Sequence, residues 1–451
     1  MGMRMGIGGE RDGAITAGDV DMVRARLRRS AEADRAEALE LLRSWRGRPL
    51  GPGGADAVLR AATVGYPWVA GRPDDPGELL VQLLWDEPHQ VPVLEVERSY
   101  VRCAERARRA LLHLLARRAD AEAVDVVGSL IGIDGPWDLL PVPTAHLLSP
   151  LLDAPGVERL AGSVVTLARR RGWSQHAAEL IGAMARRGLL DDEASAAVAV
   201  GLDPLVSALV DTCDRATLAS AGRSNVWSDL SGPEPTGADL TRADLSRAER
   251  RRLGSLLPLL AQLPVEEAER VLLRALSSAD PRVAALAAVG LARRGVAVPA
   301  ERMSLLGRDA EARGILVDGL GALGRHFALP PGHLHQVAVA ESELIRWLAS
   351  ETQMGSAPDE VEHRGTVPCP SDWGDGVVHV FGFRVRPPHW SAARGWMLGA
   401  VGPFDPGAEF APRRAEGFTA HSLYLAEDCD GLDGHVRAIA GAVLESRDEA
   451  A

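Results

Sequence analysis

Residues 264–295, PVEEAERVLLRALSSADPRVAALAAVGLARRG, limit the possible folds more than any other stretch. Ala268, Val271, Leu272, Ala275 and Leu276 recur at helical spacing and share one apolar face. Val283, Leu286, Ala287, Gly290 and Leu291 repeat that face in a second segment. Between them, Asp280 is placed to cap the second helix and Pro281 fits its first turn, where no N–H is needed. Gly295 predicts a left-handed helix end. Two amphipathic helices cannot bury both faces by themselves, so this pair requires neighbours of the same kind.

Helical patterning extends over most of the chain. Val20, Val23 and Leu27 form one face, and Ala36, Leu39 and Leu42 another. Short helices are predicted at about 55–64 and 77–85, a long one at 97–118, and one at 121–131. Further segments fall at 144–152, 156–171, 174–187, 191–200 and 203–213, and then at 247–262, 265–278, 282–294, 299–306 and 309–325. Residues 1–18 read as a disordered N-terminus and 19–218 as an N-terminal helical-repeat region. Residues 219–246 read as a Gly/Pro/Ser-rich loop, with Ser246 to Glu249 as a capping box opening the next helix. Residues 247–335 read as further repeats and 341–451 as a C-terminal α+β domain.

A small motif marks several helix ends: Leu115 to Arg118, Leu167 to Arg170, Met184 to Arg187 and Leu291 to Arg294 all read (Leu/Met)-Ala-Arg-Arg. Arginine in a last turn complements the helix dipole, which explains the motif as helix termination. The functional alternative is a basic rim for an acidic partner.

From about 341 the character changes. Ten of the nineteen Trp, Tyr and Phe residues lie in the last 111 positions. A helix at 341–350 precedes strand-like runs at 361–367, 377–386, 395–401 and 418–425, with Asp375-Gly376 as a turn signal and a closing helix at 434–445. Val377, His379, Phe381, Phe383 and Val385 alternate onto one face, which marks His379 as a hydrogen-bonded core histidine. His363, Cys369, His379, His389, His421, Cys429 and His435 show no metal-ligand spacing, so no metal is assigned. Asp428 to Gly434 fails as a calcium loop, because its twelfth position is Ile439. Arg384, Arg386, His389, Trp390, Arg394 and Trp396 form the most site-like cluster, with tryptophan and arginine as in interface hot spots. No catalytic residue and no cofactor is assigned, since GxSxG, Walker A and HExxH patterns are all missing.

The formal net charge of −12 argues against a general nucleic-acid binder. All 50 basic residues are arginine, a skew that reads as codon bias. Four separated cysteines, Cys103, Cys213, Cys369 and Cys429, read as reduced structural thiols. The first residues hold no signal-like apolar core, and Met1, Met3, Met5 and Met22 leave several candidate starts. No continuous apolar run of about 18 residues occurs. The expectation is a cytoplasmic protein without a membrane partner.

The Asp280-Pro281-Arg282-Val283 turn and the Ala-rich helix 284–291 resemble HEAT repeats, and this likeness is best over 264–325. The resemblance implies a mainly α fold, an irregular HEAT-like α-solenoid followed by a small α+β domain with an antiparallel sheet. The tail resembles that of uncharacterised bacterial HEAT-like proteins. Together these imply a scaffold or adaptor that binds a protein partner, with a role in bacterial conflict or defence as one setting. Two other readings stay open: a HEAT-like enzyme acting on nucleic acid or a tetrapyrrole, and a small-ligand sensor built on the aromatic C-terminal domain.

Overall fold

The computed structural model describes residues 13–67, 74–131, 148–169, 174–224, 237–325, 328–349, 357–358, 360–371, 374–384, 396–407 and 423–425. The chain is mainly helical, with a small antiparallel sheet near its end. It divides into two compact units, 1–202 and 203–451.

In the first unit, α1 (Ala17–Leu27) opens on a capping box. Asp19 N–H donates to Thr16 Oγ1 at 3.2 Å and Thr16 N–H donates to the Asp19 carboxylate at 3.0 Å. Val20, Val23 and Leu27 are its buried face, as the periodicity predicts. The disordered reading of 1–18 fails for its described part. Ile15 is buried and bridges to Leu50, because one large apolar side chain beside a cap is enough to pin the strand. The helices α2 (Glu32–Ser44), α3 (Gly54–Ala62) and α4 (Pro76–Gln82) follow. The long helix expected over 97–118 is two, α5 (Val93–Tyr100) and α6 (Glu105–Arg118). The break is stabilised by Arg108, whose side chain donates to the carbonyls of Tyr100 at 3.1 Å and Val101 at 3.3 Å. Among the described residues α7 (Ala121–Ile131), α8 (Leu160–Ala168) and α9 (Ser174–Arg186) follow.

Next comes α10 (Asp192–Ser224), one helix where the sequence suggests two. Pro204 lies inside it, and Arg169 donates to the Gly201 carbonyl at 3.1 Å in the turn that the proline disturbs. Within it, Asp192–Ala219 is long and apolar enough by composition to cross a membrane; among the described residues it is the one such helix. Its apolar side is buried at Val198, Leu202, Val206, Leu209 and Cys213, whereas Asp211 and Arg215 face outward. The loop reading of 219–246 is also corrected. Helix α10 reaches Ser224, and α11 (Gly237–Leu260) already spans 237–246, so Ser246 opens no helix. Ser, Gly and Asp content makes 219–224 and 237–246 read as loop, whereas the Ala, Leu and Arg among those residues favour helix.

The second unit carries the clearest repeat. Helices α12 (Glu266–Leu276) and α13 (Pro281–Arg293) form the expected hairpin, capped by Asp280 and ended by Gly295 at φ +81°. After α14 (Ala300–Gly307) come α15 (Ala310–Ala322), the four-residue α16 (Pro331–Leu334) and α17 (Gln336–Leu348). Helix α11 packs on α13, α13 on α15, and α15 on α17. One bridge recurs along this stack: Arg250 to Asp280, Arg282 to Glu311 and Arg313 to Glu341, separated by 30, 29 and 28 residues. Packing is close where glycine allows it. A Cβ on Gly319 of α15 would lie 2.5 and 2.6 Å from the two methyls of Val289 on α13. Gly319→Ala is therefore expected to destabilise by about 1–3 kcal/mol, despite alanine's better helix propensity. Urea denaturation would check this, and a neutral or stabilising result would refute it.

Several arginines at these helix ends bond neighbouring segments. Arg118 donates to the Val91 carbonyl at 2.6 Å, Arg117 to Trp85 at 2.8 Å and Arg294 to Val265 at 2.9 Å, while Arg187 bonds Asp153 at 2.8 Å. Three of these contacts satisfy carbonyls of preceding segments and the fourth is an ion pair, so helix termination and inter-layer bonding account for these ends; Arg170 lies outside the described residues.

Four strands close the described fold: β1 (Glu360–Ser371), β2 (Gly374–Arg384), β3 (Met397–Phe404) and β4 (Leu423–Leu425), in the order β1-β2-β3-β4, all antiparallel. The β1–β2 pairing closes at Ser371 opposite Gly374, so Asp375-Gly376 lies inside β2 and not at the turn. One face of the sheet packs on α17. Phe381, Phe383, Met397, Val401 and Phe404 meet Ala340, Leu344 and Leu348. Val378, Val380, Leu398 and Ala400 on the other face are buried as well. The closing helix expected at 434–445 lies outside the described residues.

Candidate functional site

Strand pairing assembles a charged aromatic cluster on the sheet face turned away from α17. Glu360 pairs with Arg384, Glu362 with Gly382, and Leu398 with Gly382 from the other side. Trp396, just before β3, lies on this face with the guanidinium carbons of Arg364 and Arg384 at 4.8 and 5.2 Å from its ring centroid. Gly382 makes the arrangement possible, because a Cβ there would meet Arg364 Nε at 2.7 Å and Trp396 Cε3 at 3.3 Å. Each arginine also holds a carboxylate, Arg384 that of Glu360 and Arg364 that of Glu362, the latter at 2.8 Å. All four charged side chains remain partly exposed. Each stacking contact is worth roughly 0.5–1 kcal/mol and each partly exposed ion pair about 0–1 kcal/mol. The result is a rigid, half-exposed platform of one indole and two guanidinium groups.

Of the six candidates read from the sequence, the structure brings Arg384 and Trp396 together. Arg386, His389, Trp390 and Arg394 lie outside the described residues. Arg364, Glu360 and Glu362 escaped the sequence reading. Their signal is strand register, which places a residue before the bulge of β1 opposite the end of β2.

The α17 side of the same sheet carries a second polar arrangement at its rim. Gln336 Nε2 donates to the Asp405 carbonyl at 2.8 Å, so its Oε1 accepts from His379 Nε2–H at 3.0 Å. This bond fixes the His379 tautomer and leaves Nδ1 as an acceptor. The Thr366 hydroxyl lies 3.0 Å from that nitrogen and donates to it. His363 Nε2 stands 3.4 Å from the same hydroxyl oxygen. His379 is 3 % exposed, and burial, with His363 and His335 nearby, pushes its pKa down to about 4. As expected, it is a buried histidine with both ring nitrogens bonded. Of the metal-ligand candidates, His363 and His379 approach one another, with ring centroids 5.5 Å apart. His389, His421, Cys429 and His435 lie outside the described residues. Among the described residues no group of three or more His, Cys, Asp and Glu is arranged to hold a metal.

No protein-family model, curated protein or solved structure matches the chain.

Proposed function

We propose that the protein is a cytoplasmic, non-enzymatic interaction scaffold or adaptor of the HEAT-repeat type, which binds a protein partner through its helical stack and its C-terminal domain. The observation that carries this reading is the Trp396, Arg364 and Arg384 platform. An indole and two guanidinium groups, rigidly held and half exposed, have the composition of an interface hot spot. The stacked helical hairpins support it by offering an extended surface beside that platform's own domain. Cys103 and Cys213 are free and buried, consistent with a reducing compartment, and burial pushes their thiols up to about 11 and 12. The sensor reading draws no support from Phe381, Phe383 and Phe404, which are packed against α17.

The test is affinity capture from the native host with the full chain beside Trp396→Ala. A stoichiometric protein held by the full chain is expected to be lost, since a hot-spot truncation costs about 2 kcal/mol or more, roughly thirtyfold in Kd. Equal retention by the variant would move the contact to the helices, and no partner in either capture would remove the adaptor reading.

A further inference from the structure

We propose that Thr366 is an acceptor hydroxyl, assisted by His379 as general base, which takes one acyl group from an activated ester. Three features of the structure support it. The hydroxyl sits on an exposed residue of the edge strand β1, so a donor can reach it. Its proton is directed at His379 Nδ1 over 3.0 Å, within the range for transfer from a nucleophile to its base. The base is itself oriented by a third group, because Gln336 Oε1 holds Nε2–H at 3.0 Å and is fixed in turn by the Asp405 carbonyl. Ordinary cross-strand Thr–His pairing does not require this full chain of defined donors and acceptors. His379 is Thr366's direct register partner, and a bulge between His363 and Gly365 brings His363 onto the same hydroxyl.

The step balances without any oxidant or metal. The Thr366 oxygen attacks the carbonyl carbon of the ester while its proton passes to His379 Nδ1. The tetrahedral adduct collapses by breaking the bond between that carbon and the donor's alkoxy or aryloxy oxygen. The proton then passes from His379 to the leaving oxygen, which departs as an alcohol or phenol, and Thr366 carries the acyl group as an ester. The negative charge of the adduct sits on the donor's former carbonyl oxygen, and His363 Nε2 stands 3.4 Å from the attacking Thr366 oxygen.

The experiment treats the full chain with p-nitrophenyl acetate, follows nitrophenol release, and maps the acetyl group by peptide mass spectrometry. The chain has no lysine, so side-chain amines do not compete for the reagent. Acetylation is expected at Thr366 ahead of other hydroxyls such as the half-buried Thr212, which donates to the Ala208 carbonyl at 2.8 Å, accepts from Arg215 at 3.3 Å and has no histidine bonded to it among the described residues. Thr366→Val, a β-branched replacement on an exposed strand position, is expected to abolish it and Thr366→Ser to keep it. His379→Gln is expected to slow it about 100-fold. Labelling of Thr366 no faster than Thr212, or an unchanged rate in a folded His379→Gln variant, would overturn the proposal. Should His379→Gln fail to fold, the ratio of Thr366 to Thr212 labelling in the unaltered chain decides alone.

Discussion

Asp280→Ala is expected to lower the stability of the second unit by about 2–4 kcal/mol, the summed cost of a helix cap and of a charge-assisted hydrogen bond to Arg250. Asp280 is 1 % exposed. One carboxylate oxygen accepts from the N–H groups of Arg282 at 3.0 Å and Val283 at 3.4 Å, as a helix cap does. The other accepts from Arg250 Nε at 2.6 Å and Thr217 Oγ1 at 3.2 Å. Asp214 supports the same turn by accepting from the N–H of Ala279 at 2.9 Å and from Ser278 Oγ. Loss of the cap alone would cost about 1 kcal/mol. The larger figure comes from Arg250, whose side chain is 22 % exposed at this junction of α10, α11 and α13 and bonds no other carboxylate among the described residues. Urea unfolding of wild type, Asp280→Ala and Asp280→Asn separates these contributions. The Asn variant keeps the cap but loses the charge, so it should fall between the other two. A loss near 1 kcal/mol for the Ala variant would show that the cap is all that Asp280 provides.

Asp280 also shows where the sequence was legible and where it was not. The cap, the proline after it and Gly295 are local choices, each readable from a few neighbouring residues, and all three hold in the structure. Thr217 and Asp214 reach the same turn from 63 to 66 residues away, and no spacing rule announces them. The stack shows a similar division. Helices were readable from their apolar faces, yet the Arg-to-carboxylate bridges of one repeat to the next became visible only when α11, α13, α15 and α17 lay side by side. Gly, Ser and Asp content overstated the break after residue 218, because a few poor helix formers among Ala, Leu and Arg do not stop a helix.

In the C-terminal sheet, alternation located His379 and the phenylalanines correctly. It could not place Thr366 beside His363. Three residues apart, they fall on opposite faces of a regular strand, and the bulge at Arg364 puts them on the same one. The Trp396 platform was half legible for a related reason. Arg384 and Trp396 stood out by residue type, whereas Arg364 and the two glutamates join them through strand pairing across 20 residues or so of sequence.

Acidification should loosen the C-terminal sheet through His379, and the sign follows from its burial. The neutral ring is bonded at both nitrogens between Gln336 and Thr366, and its pKa falls from 6.5 to about 4. The unfolded chain therefore takes up a proton near pH 6.5 that the folded chain refuses until about pH 4. The stabilisation is complete above 6.5, is lost progressively as pH falls, and is gone below about 4, a change of roughly 3 kcal/mol. Hydrogen exchange of the β1 and β2 peptides in the full chain, corrected for intrinsic rates, would report it. Protection should decline between pH 6.5 and 4 more steeply in wild type than in His379→Gln, whose side chain does not titrate. Carboxylates throughout the unit also respond to acid, so the difference between the two proteins is the quantity that counts. Equal slopes would mean that the fold accommodates the charged ring, for which the Thr366 hydroxyl would have to turn and accept from a protonated Nδ1. The exposed position of Thr366 on β1 makes that reorientation geometrically available, but burial against Phe404, with ring centroids 5.6 Å apart, keeps the charge itself costly.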